Sequence, residues 1–278
     1  MVRFALALAL TLCAFLPAAL HAAEPGMAFI PGGPFQRGRS IRLPDTEVKW
    51  YPTAHKDDQP ARAITLDPFY LDIAETTNED YAAFAKATRH RTPYHWRKGQ
   101  LPEGKEKLPV VNVSWDDATA YCAWRGKRLP TEAEWERAAR GNAEGAMYPW
   151  GDRPPKATDA RYGAETPAPV CTKTKNYFGL CDMIGNVWEW NSDWYGRTYY
   201  ESSPGQNPTG PETGMYRVLR GGSWFDTPGL FLMVSYRSWA RPAERSATIG
   251  FRCAKPFTAK HNAVAKPNIN PPLPTTAR

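Results

Sequence analysis

From Gly141 to Pro211 the chain reads mostly as loop, with Gly, Pro, Asn and Asp recurring among scattered aromatic residues. An irregular stretch of that length is unusual inside a compact domain, and where it occurs it is functional or held by crosslinks and ions. The fold must therefore be rich in loops and economical in regular elements.

Regular structure is expected on both sides of this stretch. Met27 to Pro31 is strand-like, and Gly32 to Pro60 carries turn chemistry with little periodicity. Ala63 to Ile73 alternates and is rich in β-branched and aromatic residues, which predicts one or two strands. Asn78 to Thr88 is a helix with Thr77 as N-cap and Tyr81, Phe84 and Ala85 on its apolar face. Val110 to Val113 reads as a short strand. Ser114 followed by Asp117 starts a second helix, and Thr131 with Glu134 forms a capping box for a third. Gly126 and Gly141 are suitable stops for these two. Tyr216 to Trp224 and Ile249 to Ala254 read as strands. Residues 258–278, with prolines at 267, 271, 272 and 274, predict a disordered tail.

The first 23 residues have the layout of a signal peptide. Arg3 is the positive end, Phe4 to Leu16 the apolar run, and Ala22 or Ala23 the cleavage region. A lipoprotein signal ending at Cys13 is disfavoured by Leu12, where a small residue belongs, and an uncleaved anchor is the other alternative. Cleavage implies a secreted or periplasmic protein without stable membrane insertion. Cys122, Cys171, Cys181 and Cys253 remain, an even number suited to an oxidising compartment, and three pairings are open. A net charge of +7 is scattered along the chain. No basic stripe or recognition motif accompanies it, so nucleic acid is not an expected partner. Eleven Trp point to polar-lined packing or a binding surface, because each indole N–H needs a partner.

A series of blocks then identifies a family. It begins with Met27-Ala28-Phe29-Ile30-Pro31-Gly32-Gly33, Asp67-Pro68-Phe69-Tyr70-Leu71-Asp72 and Glu75-Thr76-Thr77-Asn78. Pro109-Val110-Val111-Asn112-Val113-Ser114-Trp115 and Gly126-Lys127-Arg128-Leu129-Pro130-Thr131-Glu132 follow. Gly185-Asn186-Val187-Trp188-Glu189-Trp190, Arg220-Gly221-Gly222-Ser223-Trp224 and Gly250-Phe251-Arg252-Cys253-Ala254 close it. In this order they resemble the formylglycine-generating enzyme, or sulfatase-modifying factor, family over residues 24–257. The resemblance implies one α+β domain of C-type-lectin-like architecture.

It also implies what the site should contain. The founding enzyme binds copper(I) through two cysteines after Gly-Gly-Ser and oxidises a substrate cysteine to formylglycine. Here Asp226 falls about where the first cysteine would stand and Phe231 where the second would, so the copper site is not retained. A carboxylate is a hard ligand and cannot exchange thiols. Trp188 and Ser223 match residues near the family cleft, with Asp226 and Arg237 as neighbours; no nucleophile or base is assigned. The resemblance pairs Cys122 with Cys253, leaving Cys171 with Cys181. It further implies structural Ca2+ held by Asp182 and Glu189 with the carbonyls of Gly185 and Val187, an all-oxygen set suited to a hard cation. Any redox metal is unassigned, and His55, His90 and His95 have no obvious carboxylate partner. The expected function is an accessory, ligand-binding or differently equipped oxidative protein, acting on an unknown protein or small molecule. The rivals are an oxidase of the kind used in siderophore maturation and a purely lectin-like binding module.

Overall fold

The computed structural model describes residues 24–40, 56–227 and 229–258. The signal segment, His55 and the tail beyond Thr258 lie outside the described residues. Among the described residues, nine short strands and four α-helices form an α+β domain.

Three small sheets carry it. Strand β1 (Met27–Ile30) pairs antiparallel with β4 (Phe69–Asp72), which pairs with β9 (Ala254–Pro256). Strand β2 (Gly33–Arg37) forms a ribbon with β3 (Arg62–Leu66). The third sheet has the order β7 (Ser238–Ala240), β6 (Arg217–Arg220), β5 (Trp188–Trp194), β8 (Ile249–Gly250), and only β5 and β8 run parallel.

The helices follow their start signals. Helix α1 (Asn78–Thr88) is capped by the Thr77 hydroxyl, which accepts from the Asp80 N–H. Reciprocal capping boxes start α2 (Trp115–Trp124) at Ser114 and Asp117, and α3 (Glu132–Arg140) at Thr131 and Glu134. Helix α4 (Tyr199–Ser202) is a single turn. Gly141 ends α3, and a Cβ there would stand 2.8 Å from Tyr177 Cβ, so only glycine fits.

Several expectations differ from the structure. Val110 to Val113 is not a strand: Asn112 has a left-handed backbone, φ 60, which breaks the extended run. Ile249 to Ala254 is two strands in two sheets rather than one. Strand β2 lies in the stretch read as turns, and β5 lies in the stretch read as loop.

The core holds two apolar clusters and a buried ionic layer. One contains Ile30, Phe35, Leu71, Trp135 and Leu180; the other contains Tyr81, Phe84, Tyr121, Trp190 and Phe251. Glu132, Glu136, Arg140, Arg220 and Arg237 are all nearly inaccessible to solvent as well. Buried ions require partners and hydrogen bonds, and each finds them. Arg237 takes both Glu132 oxygens at 2.6 and 2.9 Å, while Arg220 and Arg140 share Glu136 at 2.6 and 2.7 Å. The Cys122–Cys253 disulfide joins α2 to the segment between β8 and β9. Among the described residues no helix is long and apolar enough to cross a membrane.

Candidate functional site

The turn after β6 positions the first group of candidates. Gly222 has φ 76, and a Cβ there would lie 2.6 Å from Leu232 Cδ2 and 2.8 Å from the Phe231 carbonyl. That close approach needs glycine. Next, Ser223 is buried, and both its N–H and its hydroxyl donate to Asp226 Oδ2, at 2.8 and 2.7 Å. The carboxylate standing where the first cysteine would fall therefore closes a turn. Phe231, at the second position, packs edge-on against Tyr236 at 5.2 Å, and Tyr236 lies 6.1 Å from Trp188. An aromatic stack fills the place of the second thiol.

Arg237 does not join them. Its guanidinium is buried on Glu132 and on the carbonyls of Asp57 and Gly196. It immediately precedes β7, and its side chain turns into the ionic layer. Ser223 and Asp226 therefore form one group, Trp188 sits in the neighbouring aromatic stack, and Arg237 is a structural cation.

A cleft of about 770 Å³ opens beside this turn, with Trp224 in its wall. Tyr94, Leu108 and Val111 line one side, and Glu165, Pro167 and Pro169 the other. The second side is tied to the turn by Gly163 N–H to the Asp226 carbonyl (2.8 Å) and Ala164 N–H to the Trp224 carbonyl (2.7 Å). Trp224 is fixed by its indole N–H on the Ala247 carbonyl at 3.1 Å. Tyr94 and Phe225 are 70% and 69% exposed, unusual for large apolar rings. A concave, largely apolar site with a few polar groups has the form of a ligand pocket, and its volume lies in that range. His95 belongs to it, with Nδ1 3.0 Å from Asn112 Nδ2, and burial lowers its pKa. The cleft wall was not foreseen from sequence, although Trp224 lies in a recognised block. His90, expected to lack a carboxylate partner, has Nε2 2.9 Å from Asp117 Oδ1.

The expected calcium loop is tightly turned. Asp182, Gly185 and Asn186 have φ of 51, 76 and 58, and a Cβ on Gly185 would lie 2.4 Å from the Arg161 carbonyl. Asp182 Oδ2 accepts from the Cys171 N–H at 2.7 Å. Glu189 accepts from Arg252 Nε and Nη2 at 2.8 and 2.7 Å and from the Trp135 indole at 2.8 Å. A third acid, Glu75, accepts from Asn186 Nδ2 at 2.6 Å and from the Val187 N–H at 3.2 Å. Burial pushes the Glu75 pKa well up, Asp182 and Glu189 push it further, and Arg252 opposes them. Three buried carboxylates thus face one guanidinium. Among the described residues nothing donates to the carbonyls of Gly185 or Val187, and the side chains alone nowhere cluster as three or more metal-binding His, Cys, Asp or Glu. A calcium ion fits if Glu189 serves through one lone pair of Oε1, since its other hydrogen bonds occupy Oε2 twice and Oε1 once. The remaining oxygens would come from Asp182 and the two carbonyls.

Comparison with known proteins gives a consistent picture. The family described as Sulfatase-modifying factor enzyme 1-like domain matches residues 15–257. The formylglycine-generating enzyme of Streptomyces coelicolor is 38% identical over 295 residues, covering 86% of this chain and 91% of that protein. Inactive C-alpha-formylglycine-generating enzyme 2 of Mus musculus is 34% identical over 291 residues, covering 84% and 87%. Among solved structures, PvdO from Pseudomonas aeruginosa superimposes with a TM-score of 0.69 at 28% identity, covering 85% of this chain and all of that one.

Proposed function

This chain belongs to the sulfatase-modifying factor family, and from that premise we propose that it has given up cysteine oxidation and acts as an exported binding protein whose cleft beside Trp224 takes a largely apolar ligand. The observation carrying the reading is the Ser223–Asp226 turn with Phe231 in its aromatic stack, which leaves no thiol where the reaction needs one. A related protein named as inactive, similar over most of its length, supports the idea that the fold is kept without the chemistry.

The test is incubation with a sulfatase-type cysteine peptide, copper and oxygen, followed by mass spectrometry. No aldehyde should form. Titration with an apolar probe, with Trp224→Phe beside the wild type, assigns any tryptophan fluorescence change among the eleven indoles to the cleft. A protein-dependent aldehyde would overturn the reading. The imidazole of His95 in the cleft wall, a candidate metal ligand whose pKa burial lowers, favours a second reading, an oxidase of another substrate with a metal of its own. Oxygen uptake and stoichiometric redox metal in the purified protein would select it.

Calcium at the Asp182–Glu189 loop belongs to the same proposal. What supports it is the charge balance: Glu75, Asp182 and Glu189 share the Arg252 guanidinium, and Lys173 adds a weaker positive charge near Asp182. An ion binding only the folded loop stabilises by about 2.7 kcal/mol at a hundredfold excess over its dissociation constant. Chelation should lower the melting temperature, and restored calcium should raise it again. Protons compete for the carboxyls whose pKa burial raises, so the calcium effect should shrink as pH falls through that raised range. An unchanged midpoint at neutral pH, with no calcium in the untreated protein, would show that Arg252 and protons suffice.

A further inference from the structure

The two disulfides differ in what they present to solvent. Cys122 and Cys253 are both fully buried, and their bridge joins distant parts of the chain. In the other bridge Cys181 is fully buried but Cys171 is exposed, and only 10 positions separate them. Cys171 also has a left-handed backbone, φ 60, a conformation costly for a residue with a side chain. We propose that the Cys171–Cys181 bridge is a thiol–disulfide exchange site, opened by a dithiol oxidoreductase that attacks the Cys171 sulfur while Cys122–Cys253 stays closed.

The chemistry is an ordinary exchange. A thiolate of the dithiol attacks Cys171 Sγ, and the bond to Cys181 breaks. The Cys181 sulfur leaves with the electron pair and takes a proton from water. The partner's second thiol then attacks the mixed disulfide and frees Cys171 as a thiol. The partner ends as a disulfide, and the bridge has gained two electrons and two protons.

The loop can open chemically without unfolding, because other bonds hold it. Asn176 Nδ2 donates to the carbonyls of Ala138 and Ala139 at the end of α3. Thr174 is tied to the Thr158 carbonyl through both N–H and hydroxyl, each at 3.1 Å, and the Cys181 N–H to the Ile73 carbonyl at 2.8 Å. The position gives the exchange a structural reach. Pro167 and Pro169 of the cleft lie just before Cys171, and Thr174, Asn176 and Tyr177 wall a second cavity of about 230 Å³. The Cys171 N–H also holds Asp182. One bridge thus stands between both cavities and the Asp182–Glu189 loop.

The experiment uses the full chain under native conditions. Dithiothreitol is added, free thiols are trapped with N-ethylmaleimide over time, and the labelled peptides are mapped. In parallel, a Cys-X-X-Cys oxidoreductase variant retaining only its attacking cysteine is used to capture the mixed disulfide. The sealed bridge is reached through global unfolding, where folded outnumbers unfolded by about a thousandfold or more. The Cys171–Cys181 bridge should therefore open at least about a thousandfold faster, with unchanged far-UV circular dichroism and the captured partner joined to Cys171. Capture on Cys181, equal rates for both bridges, or loss of the dichroism signal in step with labelling would each overturn the proposal.

Discussion

Glutamine in place of Glu136 should destabilise the fold by about 3–5 kcal/mol, the usual cost of removing one partner of a buried ion pair. Glu136 is fully buried, and its Oε1 accepts from Arg140 Nε and Nη2 and from the Gly38 N–H, at 2.9, 2.7 and 2.7 Å. Its Oε2 accepts from Arg220 Nη2 at 2.6 Å and from the Tyr200 hydroxyl at 3.3 Å. Burial alone would raise this carboxyl's pKa, but Arg140 and Arg220 outweigh it and hold it below its ordinary value. The sign follows from that depression. The contribution is present above the unfolded-state pKa and is lost as pH falls through the folded one. Glutamine keeps the size but strands two buried guanidiniums, and for a domain of this size the melting temperature should fall by roughly 6–20 °C. The loss should be complete at neutral pH and narrow in acid, where the wild type also loses its carboxylate. Denaturant melts at both pH values test this; a neutral-pH loss under about 1 kcal/mol would mean that the carbonyls around Arg140 and Arg220 suffice.

Buried polar partners also explain why β5 is hard to read from sequence. Trp188-Glu189-Trp190-Asn191 does alternate with period two, which is a strand signal, although Ser192 interrupts it before Trp194. In most sheets such polar positions face water. Here Glu189, Asn191 and Asp193 are all buried: Glu189 accepts from Arg252 and Trp135, and Asp193 accepts from the Glu132 N–H at the start of α3. Burial and the neighbouring Glu132 push the Asp193 pKa to about 7. The helices were legible because their caps are local: Thr77, Ser114 and Thr131 bond within three residues. Strand β2 was not, because Arg37 looks like a surface residue yet lies buried over the Tyr200 ring at 3.8 Å.

For the site, legibility followed sequence distance. Ser223 and Asp226 are three residues apart, so the motif places them together, although the turn they close begins where the sequence reads strand. The cleft could not, because it joins the Tyr94–Asn112 segment to Glu165–Pro169 and Trp224 across long connections without a common motif. Glu75 was visible within a recognised block, but its role depends on Asn186, 111 positions away. Arg237 was drawn to the site by nearness in sequence, whereas the start of β7 carries its side chain into the ionic layer.

Removing the Cys122–Cys253 bridge by a double alanine replacement should cost about 5 kcal/mol, against about 3 kcal/mol for Cys171–Cys181. The difference comes from the unfolded chain. The first bridge spans 131 positions and the second 10, and the entropy withheld from the unfolded state grows with the logarithm of the loop. Packing acts in the same direction. Cys122 and Cys253 both belong to the cluster with Tyr81, Phe84 and Phe251, and their replacement leaves unfilled space among closely packed rings. The local loop keeps its ties from Asn176 and Thr174 after its own bridge is gone, so its loss remains local. Urea denaturation of the two double variants beside the wild type measures both costs. If the local bridge proved the costlier, the Asp182 turn that Cys171 holds would be the true anchor of the domain, and chain entropy the lesser term.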